Sequence, residues 1–124
     1  MREIKFRAWD RNTEAPRSVA RIDWSIGFDG HPAIYFVDKG WVTHSSDYIL
    51  EQFTGLHDKN GREIYEGDII RSKNFSASVV NYDETCAMFR VGDIGFIDVE
   101  SLHHDNEWEY IGNIHENHEL LGDK

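Results

Sequence analysis

Apolar and polar residues alternate along this chain in short bursts with a period of two, the signature of half-buried strands. From Glu3 to Trp9, Ile4, Phe6 and Ala8 fall on one face and Lys5, Arg7 and Trp9 on the other, which predicts a strand with the first set on the core. Asp10-Arg11-Asn12-Thr13-Glu14-Ala15-Pro16 supplies turn residues, and Pro16 lacks the N–H that a central ladder needs. A return strand carries Val19, Ile22 and Trp24. Ala20 breaks its alternation, which places a bulge near Arg21. Asp29-Gly30 and Lys39-Gly40 then bracket the strand formers Ala33-Ile34-Tyr35-Phe36-Val37. Ser45-Ser46-Asp47 offers capping oxygens for a short helix through Tyr48-Ile49-Leu50-Glu51. So short a helix gains little cooperativity, and the prediction is a strand running on into Gln52-Phe53.

The middle of the chain, Gln52 to Ile70, reads as strand, tight turn, short strand, second turn, strand. Asn60-Gly61 is the sharpest turn signal, because both residues enter the left-handed region cheaply, and Glu66-Gly67-Asp68 marks the second reversal. Further on, Ser76 to Tyr82 and Cys86 to Val91 flank Asp83-Glu84-Thr85 and predict an antiparallel hairpin. Ser78, Val80 and Tyr82 share one face of it, and Ala87, Phe89 and Val91 share one face of its partner. Gly92-Asp93 and Gly95 reverse the chain before Phe96-Ile97-Asp98-Val99. Trp108 to Ile114 is the last predicted strand, with Gly112 inside it pointing to a bulge or a close backbone approach. His115 to Leu121 reads as a short helical tail anchored by Leu120 and Leu121. Short strands about ten residues apart predict a mostly β fold, a small barrel or partly open roll with a short C-terminal helix. The expected organisation is one domain over 1–124, with strands of residues 1–50 packing on a core built from 51–124.

Composition narrows the function classes. A chain of 124 residues suits one compact core with a radius of gyration of about 14 Å. Thirteen basic residues against 23 acidic ones give a net charge of -10, which repels phosphate backbones and disfavours non-specific nucleic-acid binding. Cys86 is the single cysteine, so no internal disulfide forms. The opening Met1-Arg2-Glu3-Ile4-Lys5-Phe6-Arg7 has no signal-peptide stretch, and no run reaches the ~20 apolar residues that span a bilayer. The expectation is a cytoplasmic protein without a membrane partner.

Gln52-Phe53-Thr54-Gly55-Leu56, then Asp58-Lys59-Asn60-Gly61, Ile64-Tyr65-Glu66-Gly67-Asp68-Ile69 and the closing Ile111-Gly112-Asn113-Ile114-His115-Glu116-Asn117 resemble the YopX family of phage and prophage proteins. The opening Met1 to Asp10 also resembles that family's start, whereas Asp10 to Tyr48 has no family pattern and His118 stands where Pro is expected. The resemblance implies a β-rich fold with an SH3-like roll in the second half, encoded by a phage or an integrated prophage in a bacterial host. It implies no established activity, and the motif has no catalytic signature.

Each candidate for chemistry has a plainer structural reading. His115-Glu116-Asn117-His118 spaces its histidines by three rather than the four of zinc-binding H-E-x-x-H, and reads as a solvated polar turn. His103-His104 on a strand point to opposite faces. Asp58, Glu63, Glu66 and Asp68 offer carboxylates for acid–base or metal-assisted hydrolysis, yet Asp58 and Asp68 sit where a carboxylate accepts backbone N–H groups in its own turn. Cys86 lies in a strand pattern without an oxyanion-hole signature, and Gly92, Gly95 and Gly112 form no phosphate loop. For nucleic acid the best set is Arg2, Lys5, Arg7, Arg11, Arg17 and Arg21 with Trp9 and Trp24. The expectation is therefore a non-catalytic module without metal or cofactor, binding a host or phage protein or further copies of itself, with a nucleic-acid module second and a metal-dependent hydrolase third.

Overall fold

A computed structural model describes residues 4–72, 75–85, 87–91, 95–96 and 108–121. The described fold is almost entirely strand. In chain order the strands are β1 Phe6–Asp10, β2 Ala15–Phe28, β3 His31–Phe36, β4 Gly40–Val42, β5 Tyr48–His57, β6 Glu63–Tyr65, β7 Asp68–Ser72, β8 Phe75–Asp83, β9 Met88–Val91, β10 Gly95–Phe96 and β11 Glu109–Asn113. They form two antiparallel sheets, ordered β4-β3-β2-β1-β5-β6 and β10-β9-β8-β7-β11, neither closed into a barrel. The chain divides into two compact units, one made by Lys5–Gln52 and the other by Phe53 onward together with the first residues.

In the first unit β2 turns back on β1 with Trp9 opposite Pro16 and Arg7 opposite Ser18, so the proline sits at the start of its strand. The predicted bulge near Arg21 is present: the register of β2 on β3 shifts between Val19 and Arg21. A second, wider shift lies between Asp23 and Phe28. At Gly27 an added Cβ would run into the main-chain carbonyl oxygen of His31, so only glycine fits that close approach. Asp29 and Gly30 both take positive φ, 54° and 78°, which matches the right-handed twist of the hairpin they close. Ala8, Ile34 and Phe36 form the core, with Val19, Val42, Tyr48 and Leu50 packed against them. Tyr48 to Phe53 is strand rather than helix, and Ser45 caps nothing; its hydroxyl donates to the Pro32 carbonyl at 2.7 Å.

In the second unit Leu56, Ile64, Ile70, Val80, Phe89, Val91 and Trp108 make one buried cluster. Full burial of side chains of this kind contributes roughly 1.5–3 kcal/mol each relative to exposure. The predicted β8–β9 hairpin pairs Val80 with Val91 and Tyr82 with Phe89. Gly112 carries the predicted bulge, and what lies close to it is a side chain and not another backbone. The β11 register shifts between Tyr110 and Gly112, and a Cβ there would meet the Asn117 side chain at 2.5–2.8 Å.

Several expectations are corrected. Ile4 is 72% exposed and Trp9 only 6%, because β1 is covered on both faces near its end and opens to solvent before its start. Val37 lies outside β3 and is exposed. The C-terminal helix is a single 3-10 turn over His118–Leu121, preceded by turn residues, and Leu120 faces solvent. Asn113 Oδ1 accepts from the N–H groups of His115 and Glu116, and Asn117 Oδ1 from the N–H of Asn113, bonds that tie the turn residues ahead of it. Cys86, Gly92-Asp93, Ile97 to Val99 and His103-His104 lie outside the described residues.

Candidate functional site

The family-like residues converge on backbone hydrogen bonding. Asp58 follows β5 and is nearly buried. Its Oδ1 accepts from the N–H groups of Asn60 and Arg62, both at 2.9 Å, and its Oδ2 accepts from the N–H of Tyr110 at 3.0 Å. The Asp58 N–H donates to the Arg62 carbonyl and that of Gly61 to the Asp58 carbonyl. One carboxylate thus closes the Asn60-Gly61 turn and ties it to β11, with Gly61 at φ 85°. Burial pushes the Asp58 carboxyl up, but the N–H groups of Tyr110, Arg62 and Asn60 and the Arg62 charge together hold it below the usual carboxylate range. The Arg62 guanidinium lies 3.6 Å from the centroid of the Tyr110 ring, a cation–π contact over the same turn.

The second turn uses the same device. Asp68 is fully buried and its Oδ2 accepts from the Tyr65 N–H at 2.8 Å. Gly67, at φ 90°, donates to the Val80 carbonyl and accepts from the Ile114 N–H. Thr54 Oγ1 donates to the Ile64 carbonyl and accepts from the Leu56 N–H, spanning Gly55. At the C-terminal end Asn113 Oδ1 accepts from the N–H groups of His115 and Glu116, its Nδ2 donates to Glu116, and Asn117 Oδ1 accepts from the Asn113 N–H. Phe53 packs against Tyr65 with ring centroids 5.5 Å apart, Ile64 is in the core, and Gln52 pairs with Phe6. Ile111 and Ile114 are partly buried, and so is Glu66. These side chains fix turns and strand register. Among the described residues no group of three or more His, Cys, Asp or Glu side chains is placed to hold a metal ion.

Several members of the basic set named for nucleic acid have partners within the fold. Arg7 Nε donates to Glu51 at 2.8 Å, and Arg17 binds Asp10 at 2.8 Å and Asp38 at 2.7 Å. Arg21 lies over the Tyr35 ring, Trp9 is buried, and Arg2 lies outside the described residues. Trp9 therefore offers no face to a base. The Arg17 guanidinium, with the N–H groups of Asn12 and Thr13, holds the Asp10 carboxyl at about 2 against the opposing effect of burial.

Sequence reading missed an exposed apolar row on β2. Trp24, Ile26 and Phe28 are 68%, 50% and 50% exposed, over the stretch where the register of β2 on β3 shifts. Phe28 stacks on the His44 ring at 4.1 Å, and Trp41 on β4 is also exposed. The signal was present as unbroken alternation from Ile22 to Phe28, but alternation marks a face without saying whether anything in the same chain covers it.

A family model described as YopX protein matches residues 5–122. No curated protein gives a significant match. Among solved structures, the crystal structure of protein EF1440 from Enterococcus faecalis is similar with a TM-score of 0.68 and 27% identity, over 98% of this chain and 99% of that one. No helix among the described residues is long and apolar enough to cross a membrane.

Proposed function

Since the chain belongs to the YopX family, we propose that it is a phage or prophage accessory protein of the bacterial cytoplasm that acts by binding protein, a host or phage partner or further copies of itself, and that it has no catalytic centre. The observation that carries this reading is the row Trp24, Ile26 and Phe28, at least half exposed at every position. Large apolar side chains exposed in a continuous row are costly in water and mark surfaces that another molecule covers. The absence of a catalytic centre is supported by the use made of the polar signature residues. Acid–base catalysis needs a carboxylate free to meet a substrate proton, whereas Asp58 spends both oxygens on backbone N–H groups. Short antiparallel strands around the Ile70 and Val80 cluster support the SH3-like roll that the resemblance implies.

Affinity capture from a lysogenic bacterial host, read by mass spectrometry, tests the reading. The wild-type chain is expected to retain a defined set of proteins or its own copies, and Trp24→Ser/Phe28→Ser to lose them at an unchanged melting temperature. Equal retention by both chains contradicts it.

A further inference from the structure

We infer that Asn60-Gly61 is a site of spontaneous deamidation held shut by the Asp58 turn, where the Asn60 side chain reacts with its own backbone only when that turn opens. Of the seven asparagines in the chain, Asn60 alone precedes glycine, and a glycine nitrogen has no adjoining Cβ to shield it. Both residues are exposed, so water and hydroxide reach them. No other reactant is needed. Hydroxide removes the Gly61 N–H proton, and the nitrogen attacks Asn60 Cγ. The Cγ–Nδ2 bond then breaks, ammonia leaves with a proton taken from water, and a cyclic imide remains. Water opens the imide at either carbonyl. Opening at Cγ leaves an ordinary aspartate at position 60. Opening at the main-chain carbon leaves an isoaspartate, whose main chain runs through Cβ and Cγ.

The closed turn opposes the first step. The nitrogen that must attack donates its proton to the Asp58 carbonyl at 3.0 Å, and the Asp58 N–H donates to the Arg62 carbonyl at 2.8 Å. Asp58 Oδ1 accepts from the N–H groups on either side, those of Asn60 and Arg62, both at 2.9 Å. Losing the Gly61 proton gives up its hydrogen bond outright. It also leaves an anionic nitrogen facing the carbonyl oxygen it had bonded, beside the Asp58 carboxylate, and both changes raise the barrier. The reaction therefore runs from the open turn, at a rate set by the fraction of time these bonds are broken. Because Asp58 Oδ2 accepts from the Tyr110 N–H, that fraction depends on β11 as well. Modification is a one-way loss of the turn. Isoaspartate adds a carbon to the main chain between positions 60 and 61, so the bonds from Gly61 to Asp58 and from Asp58 to Arg62 no longer close in register. Either product adds a carboxylate two residues from Asp58, in the part of the chain outside 5–52, which already holds sixteen acidic residues against seven basic.

The test incubates the full chain at mildly alkaline pH and follows exchange of the amide for a carboxylate at position 60 by peptide mass spectrometry, with isoaspartate resolved by chromatography. Asp29-Gly30 isomerises through the same kind of imide without a change of mass, so the mass assigns the signal to Asn60. The folded wild-type chain is expected to react at least ~10-fold more slowly than the same chain in guanidinium chloride, by the factor that amide exchange gives for opening at Gly61. Asp58→Ala is expected to speed the reaction in buffer by ~10-fold or more, while Ile34→Ala, a core truncation in the other unit, lowers the melting temperature and leaves the rate within ~2-fold. Should Asp58→Ala fail to fold, the wild-type comparison between buffer and guanidinium decides alone. Equal rates in those two solvents, or no reaction in either, overturn the inference. So does an acceleration by Ile34→Ala that matches Asp58→Ala, which would assign the reaction to unfolding of the whole chain.

Discussion

At the scale of single residues, the polar letters of the signature do backbone work. Asp58 replaces water on three part-buried backbone N–H groups with one carboxylate. Truncating it leaves those donors unsatisfied, so Asp58→Ala is expected to cost about 2–3 kcal/mol in urea unfolding. Asp10 gives a pH prediction. Its carboxyl titrates near 2 in the fold against 3.8 when unperturbed, chiefly through Arg17. A depressed carboxyl stabilises fully above the unfolded value and loses that contribution as protons bind the folded state, between about pH 4 and 2. The difference in urea midpoint between wild type and Asp10→Asn is therefore expected to be present at pH 6 and to shrink as the pH falls from 4 through 2; a difference that stays constant across that window contradicts the assignment. The Asx-type role of Asp58 was readable because a carboxylate beside Gly or Asn in a turn has a local acceptor geometry, whereas Asp68 accepts from Tyr65, three residues before it. The third donor to Asp58, from Tyr110, comes from 52 residues away, and no local pattern carries that.

At the scale of elements, strands with strict alternation were legible and the ends of elements were not. β5 is strand because its aromatic and branched residues pack on neighbours, as composition suggested. β4, only three residues over Gly40–Val42, is too short to show a period. Trp9 was misplaced because alternation assumes one covered face, while the end of β1 is buried on both. The turn ahead of the 3-10 segment is held by Asn113 and Asn117, whose side-chain oxygens accept backbone N–H groups. Gly112 sits in that knot, so Gly112→Ala is expected to destabilise by roughly 1–3 kcal/mol through overpacking against Asn117. An unchanged melting temperature would show that Asn117 moves aside freely.

At the scale of the molecule, charge is distributed unevenly, near neutral over 5–52 and strongly acidic in the remainder. Self-repulsion in the acidic part is screened as the Debye length falls from ~30 Å at 0.01 M salt to ~3 Å at 1 M. The melting temperature is accordingly expected to rise with sodium chloride over that range, and a fall contradicts a repulsive balance. The mostly β class and the family resemblance came from local patterns distributed over both ends and the middle of the chain. The exposed row on β2 did not, because coverage is a property of the assembled fold.

The central claim is that the signature residues hold the backbone in place. Amide hydrogen exchange on Asp58→Ala tests it most directly. Protection at Asn60, Arg62 and Tyr110 is predicted to drop by ~10-fold or more, about 1.4 kcal/mol at each, with the amides of Ala33 to Phe36 unchanged. Wild-type protection at all three positions would contradict the account.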